Sequence, residues 1–231
     1  NWVNGTASTS TTPNASYLVV AQTDFHDNSN IGVSPFILNA FNSGNLNRKA
    51  GEASHPGIVT IASTATNNSG YGLVLGNSSS NSSIILAGIE TFEVILRPLS
   101  NNSNIVARIG WQDSSTQSVP NNALAFYAAG NGTTWDLGMY PRNGGAGSVT
   151  NFTTLSMSTW YRLKITNGGT GAVNLYVYNM SGTQLSSYNY TGTVTANALN
   201  LGVVAWRANN VATDIVDLDY MGTYNTSAYT R

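Results

Sequence analysis

Residues 160–177 read WYRLKITNGGTGAVNLYV and are the segment most informative about the fold. Apolar and polar side chains alternate on both sides of a central glycine-rich turn. Leu163 and Ile165 share one side of the first half, whereas Arg162 and Lys164 share the other. A period of two is typical of a strand with one buried and one solvated side. The stretch therefore predicts two antiparallel strands whose apolar sides face a core.

The same alternation recurs along the chain, and Gly, Asn and Ser residues separate the segments. No stretch combines helical periodicity with capping residues. About thirteen segments predict an all-β fold, a two-sheet antiparallel jelly-roll sandwich of the concanavalin A-like kind. The segments are 17–22, 57–64, 71–76, 83–88, 90–98, 104–111, 123–128, 134–140, 160–166, 172–178, 184–190, 199–206 and 213–221.

The chain divides into a short arm and one domain. Residues 1–15 are small and polar and predict an extended N-terminal arm. Residues 16–231 predict a single β-sandwich, because 231 residues are ample for one core and marginal for two. The first residue is Asn1 instead of Met, which fits either removal of a leader or a trimmed chain.

The composition excludes several classes of function. Charged residues make up 8% of the chain, against about 25% in an average protein. The net charge is −1 and no basic cluster occurs, so tight nucleic-acid binding is excluded. No apolar run approaches the roughly 18 residues of a membrane span. Cysteine is absent, which excludes disulfides and cysteine-bound zinc. We expect a neutral surface of Asn, Ser and Thr.

Asn-x-Ser/Thr sequons are frequent in this chain. Eleven occur, whereas composition alone predicts about seven. Most lie in expected turns, where a glycan can be accommodated. N-glycosylation and a merely Asn-rich surface both remain open. The sequons are at Asn4, Asn14, Asn67, Asn77, Asn81, Asn101, Asn131, Asn151, Asn179, Asn189 and Asn225.

Several motifs resemble one superfamily. They are residues 160–177, the closing DLDY at 217–220, SHPGIV at 54–59, TFEV at 91–94 and GWQD at 110–113. Together they resemble the concanavalin A-like lectin/glucanase superfamily, in the form found in phage tail and virion surface proteins. The resemblance covers about 50–224 and implies the jelly-roll fold. It implies little about function, since this fold hosts lectins, hydrolases, lyases and scaffolds.

The titratable residues argue against an enzyme. Glycosidases need two carboxyl groups about 5–9 Å apart. Glu90 and Glu93 are three residues apart on one predicted strand, which places them on opposite faces. His26 and His55 are far apart in sequence and have no identifiable partners for a triad or a zinc site, and His55 fits a turn before Pro56. We therefore predict no catalytic residues.

Asp217 and Asp219 share one face of the last predicted strand, and Asp214 lies nearby. A solvated or hydrogen-bonded face is the simpler interpretation. The alternatives are a calcium site, because carboxylate and carbonyl oxygens are the ligands that calcium prefers, and a catalytic pair. We expect no other cofactor.

Candidate sugar-binding residues are aromatic rings beside planar polar groups. A ring stacks on the C–H groups of a sugar, while amides or guanidinium groups bind its hydroxyls. Core packing is the simpler alternative for each ring. The candidates are Trp111, Tyr140, Arg142, Trp206 and Arg207.

Three functions remain in order of preference. The first is a non-enzymatic structural protein of a virion or extracellular surface, such as a fibre, spike or decoration protein, with glycan binding in addition. The second is a subunit of an extracellular N-glycosylated filament, assembled by strand addition from the arm. The third is a secreted glycan-active hydrolase or lyase. The expected partners are copies of itself, other virion or filament subunits, and glycans.

Overall fold

The computed structural model describes residues 16–23, 25, 36–55, 57–75, 86, 88–195, 197 and 199–227. The predicted arm and His26 lie outside these residues. Fifteen β-strands and no helix occur in the described ranges, so the all-β prediction is confirmed. The strands are β1 (Ser16–Thr23), β2 (Phe36–Phe41), β3 (Asn45–Lys49), β4 (Ile58–Ser63), β5 (Ser69–Leu75), β6 (Glu90–Pro98), β7 (Ile105–Gln112), β8 (Ala123–Gly130), β9 (Trp135–Arg142), β10 (Thr150–Leu155), β11 (Tyr161–Asn167), β12 (Val173–Tyr178), β13 (Gln184–Tyr190), β14 (Asn200–Arg207) and β15 (Thr213–Ser227).

The strands form two antiparallel sheets that pack as a sandwich. The first sheet has eight strands in the order β13-β12-β11-β6-β15-β4-β3, and β1 pairs with the second half of β15. The second sheet has seven strands in the order β10-β9-β8-β7-β14-β5-β2. This arrangement confirms the predicted jelly-roll sandwich. The part of the chain that the structure describes contains no helix long and apolar enough to cross a membrane.

The alternation in residues 160–177 places the core as predicted. Leu163 pairs with Val94 of β6 and Ile165 pairs with Phe92, and all four side chains are fully buried between the sheets. Arg162 lies on the opposite, outer side of the first sheet and is partly exposed. Burying this apolar side stabilises the fold by about 25 cal/mol per Å².

Three strands have no counterpart in the sequence prediction: β2, β3 and β10. All three lie at sheet edges, where a strand pairs on one side only. Edge strands tolerate polar side chains on both faces, as the segments NLNRK of β3 and TNFTTL of β10 illustrate. The predicted strand at 83–88 lies mostly outside the described residues, and Leu86 and Gly88 belong to no strand.

A register shift in β15 corrects the predicted faces of the last strand. Leu218 pairs with Leu96, but Tyr220 pairs with Ile95, so Asp219 is the extra residue of a β-bulge. Tyr220 therefore lies on the outer side of the first sheet. Strict alternation predicts Tyr220 on the core side, opposite Asp217. The extra residue Asp219 instead places Tyr220 on the same outer side as Asp217.

Candidate functional site

The outer side of the second sheet is covered in part by a strap, residues 113–122, which joins β7 to β8. Asp113 is the first residue of the strap, and its two carboxylate oxygens accept hydrogen bonds from the last two residues. The donors are the backbone amides of Asn121 and Asn122, at 3.0 and 2.9 Å. The middle of the strap crosses to β5, where Gly72 has no side chain. A Cβ atom at Gly72 would lie 2.2 Å from the carbonyl oxygen of Ser115. The strap therefore packs directly on the sheet.

The strap is held from below by Arg108 of β7. Its Nη1 donates to the carbonyl oxygen of Ser118 at 2.7 Å, and its Nη2 donates to that of Thr116. Arg108 is 1% exposed, and no salt bridge reaches it within the described residues. Burial lowers the pKa of its guanidinium to about 10. A buried cation without a carboxylate partner is costly.

Two tyrosines and a second arginine lie beside Arg108. Tyr127 pairs with Arg108 across the sheet, and its ring centroid is 5.4 Å from that of Tyr140. The guanidinium carbon of Arg142 lies 5.6 Å from the centroid of Tyr140. Burial raises the pKa of Tyr127. We name this surface the Arg108 face and define it by Arg108, Gln112, Tyr127, Tyr140, Arg142 and Asn200.

Small residues separate the polar groups of the Arg108 face. Gly202, Gly110, Ala125 and Tyr140 are consecutive partners across β14, β7, β8 and β9. No side chain larger than a methyl group stands on the first three. The backbone therefore forms a floor between the two tyrosines and the residues Gln112 and Asn200, which pair with each other across the sheet.

Unpaired polar atoms are concentrated at the Arg108 face and its strap. Eight buried side-chain nitrogen or oxygen atoms have no hydrogen-bond partner in the described part of the chain, and five of them belong here. Each unmet group costs about 1–3 kcal/mol. This concentration makes the Arg108 face the candidate functional site, since such costs persist where function requires them. The five are Arg108 Nε, Gln112 Oε1, Gln117 Oε1, Arg142 Nε and Asn200 Oδ1.

The unpaired atoms have mixed hydrogen-bonding character. The two guanidinium nitrogens are donors, and the three amide oxygens are acceptors. A sugar hydroxyl both donates and accepts, so a polyhydroxylated ring can satisfy both kinds of atom. The tyrosine rings add apolar surface for its C–H groups. The arrangement therefore suits a saccharide.

The structure brings three of the five predicted sugar-binding residues to this side of the second sheet. Tyr140 and Arg142 belong to the Arg108 face. The ring centroid of Trp206 lies 5.0 Å from the guanidinium carbon of Arg108, and Trp206 is 9% exposed. Arg207 is on the other side of β14, at its end, where its Nε donates to Asn209. Sequence analysis missed Arg108, Gln112, Tyr127 and Asn200, whose outward positions the alternation does specify.

The structure corrects the prediction that Trp111 is a sugar-binding residue. Its side chain is fully buried, and its ring packs edge-on against Phe92 of the opposite sheet at 6.0 Å. Ile109, two residues before it, is buried in the same core. Trp111 therefore packs between the sheets and does not reach the Arg108 face.

A second polar cluster lies on the outer side of the first sheet. We name it the His55 clasp and define it by Glu52, His55, Arg97, Trp160, Asp217 and Asp219. Glu52 and His55 exchange backbone hydrogen bonds at 2.9 Å, which confirms the predicted turn. The His55 ring stacks on Trp160, and its Nδ1 lies 2.9 Å from Asp219 Oδ2.

The charges of the His55 clasp neutralise one another. Arg97 contacts Asp217 Oδ2 through Nε at 3.1 Å and Nη2 at 2.7 Å, and also contacts Glu52. Lys49 and the Thr60 hydroxyl approach Asp217 Oδ1 at 3.1 and 2.5 Å. These contacts occupy both oxygens of Asp217. The clasp is therefore a structural network that fastens the turn to the sheet.

The calcium interpretation gains no support from this geometry. Asp217 faces Arg97 and Lys49, whereas Asp219 faces His55. No group of three or more side chains with metal-binding geometry occurs among the residues that the structure describes.

The two glutamates of β6 lie as predicted. The Glu90 carboxylate accepts hydrogen bonds from the Asn167 side chain at 2.7 Å and from the amide of Gly88. Glu93 lies on the outer side, 3.9 Å from Arg162. The two carboxyl groups therefore serve different local contacts.

Two stacked antiparallel sheets of eight and seven strands form a concanavalin A-like jelly-roll sandwich. Within that class, residues 54–219 match the family described as "SO2946-like, C-terminal domain", and the chain belongs to this family. The match begins just before His55 and ends at Asp219. No curated protein sequence matches the chain.

Solved structures share the fold at low sequence identity. The protein of unknown function SO2946 from Shewanella oneidensis MR-1 is 21% identical, with a TM-score of 0.72 over 96% of this chain and 91% of that one. The CBM2 module of the evolved Dit from Lactobacillus casei BL23 phage J-1 is 13% identical, with a TM-score of 0.63 over 94% and 100%. The endo-β-1,4-glucuronan lyase from the fungus Trichoderma reesei is 10% identical, with a TM-score of 0.59 over 91% and 96%. At these identities, the similarity establishes the fold alone.

Proposed function

We propose that this chain is a non-enzymatic, glycan-binding β-sandwich of a virion or extracellular surface structure, and that it holds sugar on the Arg108 face. The observation that carries this proposal is the set of five unpaired buried polar atoms around a floor of small residues. The similarity in fold to a phage carbohydrate-binding module supports it.

In this proposal, the sugar enters beside Tyr127, which is partly exposed. Its ring lies against the tyrosine pair, and its hydroxyls reach Arg142 first. The strap covers Arg108, so the inner amides of Gln112 and Asn200 engage only when the strap moves outward. Recognition then combines stacking on the tyrosine rings with hydrogen bonds to the buried amides of Gln112 and Asn200.

The carboxylates near this face favour binding over catalysis. Asp113 is engaged by the strap's own amides, and Asp136 accepts a hydrogen bond from Asn131 at 2.7 Å. A glycosidase needs a proton donor and a second carboxylate across the scissile bond. Both of these carboxylates have local structural roles, which supports a non-enzymatic function.

A glycan array tests the proposal. The full chain is labelled and screened, and the strongest ligand is titrated against Tyr127→Ala and Arg142→Ala. We expect the dissociation constant to rise about tenfold or more in Arg142→Ala, since a lost hydrogen bond to a charged group costs about 1.5–3 kcal/mol. In Tyr127→Ala we expect a rise of about twofold to tenfold, since an aromatic contact contributes about 0.5–1.5 kcal/mol. Arg162→Ala is the matched control, because Arg162 lies 4.6 Å over Tyr178 on the other sheet.

Two results would overturn the proposal. One is an array without any ligand, and the other is a ligand whose affinity falls only in the Arg162→Ala control. Release of reducing ends or unsaturated products from the bound polysaccharide would instead establish an enzyme.

A filament subunit is the second candidate, and the pairing of β1 supports it. Residues 16–23 pair with Met221–Ser227 of β15, whereas β4 pairs with the first half of the same strand. The same pairing between two copies would join subunits through backbone hydrogen bonds. A chain that lacks residues 1–23 and recovers its stability with an added 16–23 peptide would support this candidate.

A further inference from the structure

One edge of the sandwich exposes two neighbouring strands without a charged side chain. The strands are β10, with the sequence TNFTTL, and β13, with the sequence QLSSYNY. Each is the last strand of its sheet. Phe152 of β10 stacks on Tyr188 of β13 at 5.5 Å and joins the two edges. Leu185 of β13 is 52% exposed.

Open edges of this kind are templates for pairing with other chains. Proteins protect them with charged residues, proline, bulges or coverings. The opposite edge of the first sheet follows this rule, because β3 carries Arg48 and Lys49. Each of the two edge strands has one bulge, between Asn151 and Thr153 in β10 and at Leu185 in β13, but neither strand carries a charged side chain. A further cover would protect this edge where charge does not.

We propose that N-linked glycans on Asn151 and Asn189 cover this edge. Asn151 begins the sequon NFT on β10, and Asn189 begins the sequon NYT on β13. Both side chains are exposed and lie on the outer sides of their sheets, opposite Gly138 and Asn174. Two glycans would therefore flank the edge from both sides.

The amide groups of these two residues are compatible with the modification. The new bond joins the amide nitrogen to the anomeric carbon of a lipid-linked oligosaccharide. The bond from that carbon to the lipid phosphate oxygen breaks, the lipid phosphate leaves, and the amide gives up one proton. Asn189 Nδ2 donates one hydrogen bond, to Asn174 at 2.8 Å, so the second hydrogen is available.

Two of the other described sequons do not fit as well. Asn131 Nδ2 donates to both Thr134 Oγ1 at 3.0 Å and Asp136 Oδ1 at 2.7 Å, which uses both hydrogens. Asn225 Oδ1 is buried. The sequons at Asn4, Asn14, Asn77 and Asn81 lie outside the described residues. The fold therefore separates sequons that are equivalent in sequence.

For the test, the full chain is expressed as a secreted protein in a eukaryotic host, because the proposal requires export through a compartment that transfers oligosaccharides. Glycans are released enzymatically in ¹⁸O water, and peptide mass spectrometry reads the label at each asparagine. We expect label at Asn151 and Asn189 and none at Asn131 or Asn225 in the folded protein. Label at Asn131 with none at the two edge residues would overturn the proposal.

The covering role has its own test. Thr153→Ala with Thr191→Ala removes both glycans and keeps both asparagines. We expect this variant, with unchanged circular dichroism, to elute as dimers or larger species as its concentration rises. Adding Thr154→Lys and Ser187→Lys should restore the monomer, because charge replaces the glycan at the same edge. A monomeric unglycosylated variant would show that the edge needs no cover.

Discussion

The imidazole ring of His55 stacks on the indole ring of Trp160, with 4.0 Å between ring centroids and 17° between ring planes. The guanidinium carbon of Arg97 lies 4.6 Å from the centroid of the Trp160 ring. Trp160 therefore joins the turn before β4 to β6, across strands that are distant in sequence. Because Trp160 directly precedes β11, the clasp also fixes the start of that strand.

Removing the Trp160 ring should weaken the whole first sheet. Stacked aromatic pairs contribute about 0.5–1.5 kcal/mol beyond burial, and the cation–π contact adds about 0.5–1 kcal/mol. We expect Trp160→Ala to lower the free energy of unfolding in urea by about 1–3 kcal/mol, and Trp160→Phe by less. Equal losses in the two variants would contradict this assignment, because a phenyl ring can still stack on His55 and contact Arg97, whereas alanine cannot.

The Glu52 carboxylate gives the clasp a pH dependence. Hydrogen bonds from Arg97 and then from Trp160 lower the pKa of Glu52 below its ordinary value of 4.5. A carboxyl group with a lowered pKa in the folded state stabilises that state above its unfolded pKa. This contribution is lost as the pH falls through the folded value. Stability should therefore decrease on acidification below about 4.5.

Thermal unfolding between pH 7 and pH 3 checks this expectation against Glu52→Gln. The variant should lose stability at pH 7 and show a smaller decrease on acidification than the original chain. The control is Glu93→Gln, which removes a carboxylate from the same sheet. A pH profile for Glu52→Gln that parallels the original profile would contradict the assignment.

Alternation in the sequence predicts strand faces well, as Leu163 and Arg162 illustrate, because one face of each strand must be buried. It also specifies the outcome for Trp111, which shares its face with Ile109. The bulge at Asp219 was not predictable, since register depends on the partner strand. The stacking of His55 on Trp160 likewise arises from pairing between distant segments. Local patterns hold no information about such contacts.

Replacement of Arg108 should affect glycan affinity more than it affects the stability of the fold. Its buried guanidinium has no carboxylate partner among the described residues, and replacing a buried charge with an apolar group of similar size is often neutral or stabilising. Methionine removes the buried charge, but the carbonyl oxygens of Thr116 and Ser118 lose their donor, so we expect Arg108→Met to lower the free energy of unfolding by only about 1–2 kcal/mol. Glycan affinity should fall at least about tenfold. Calorimetric titration of the glycan and urea unfolding measure the two quantities. A loss of stability with unchanged affinity would make Arg108 purely structural.

Gly72 offers a way to displace the strap without touching the Arg108 face. A Cβ atom there would lie 2.2 Å from the Ser115 carbonyl oxygen and 3.6 Å from its Cα. Since a backbone atom cannot give way as a side-chain tip can, Gly72→Ala should lift the strap. The cost of such overpacking is about 1–3 kcal/mol. Hydrogen exchange across residues 113–122 should accelerate in the variant.

If the strap covers the inner sugar contacts, Gly72→Ala should also raise the association rate of the glycan. Gly182→Ala is a suitable control, because the φ of Gly182 is 86° and no atom lies within 4 Å of the point that a Cβ would occupy. That substitution strains a distant turn and leaves the strap in place. Faster exchange in the strap with an unchanged association rate would mean that sugar reaches the face without strap movement. Unchanged exchange would contradict the tight packing of Ser115 on Gly72.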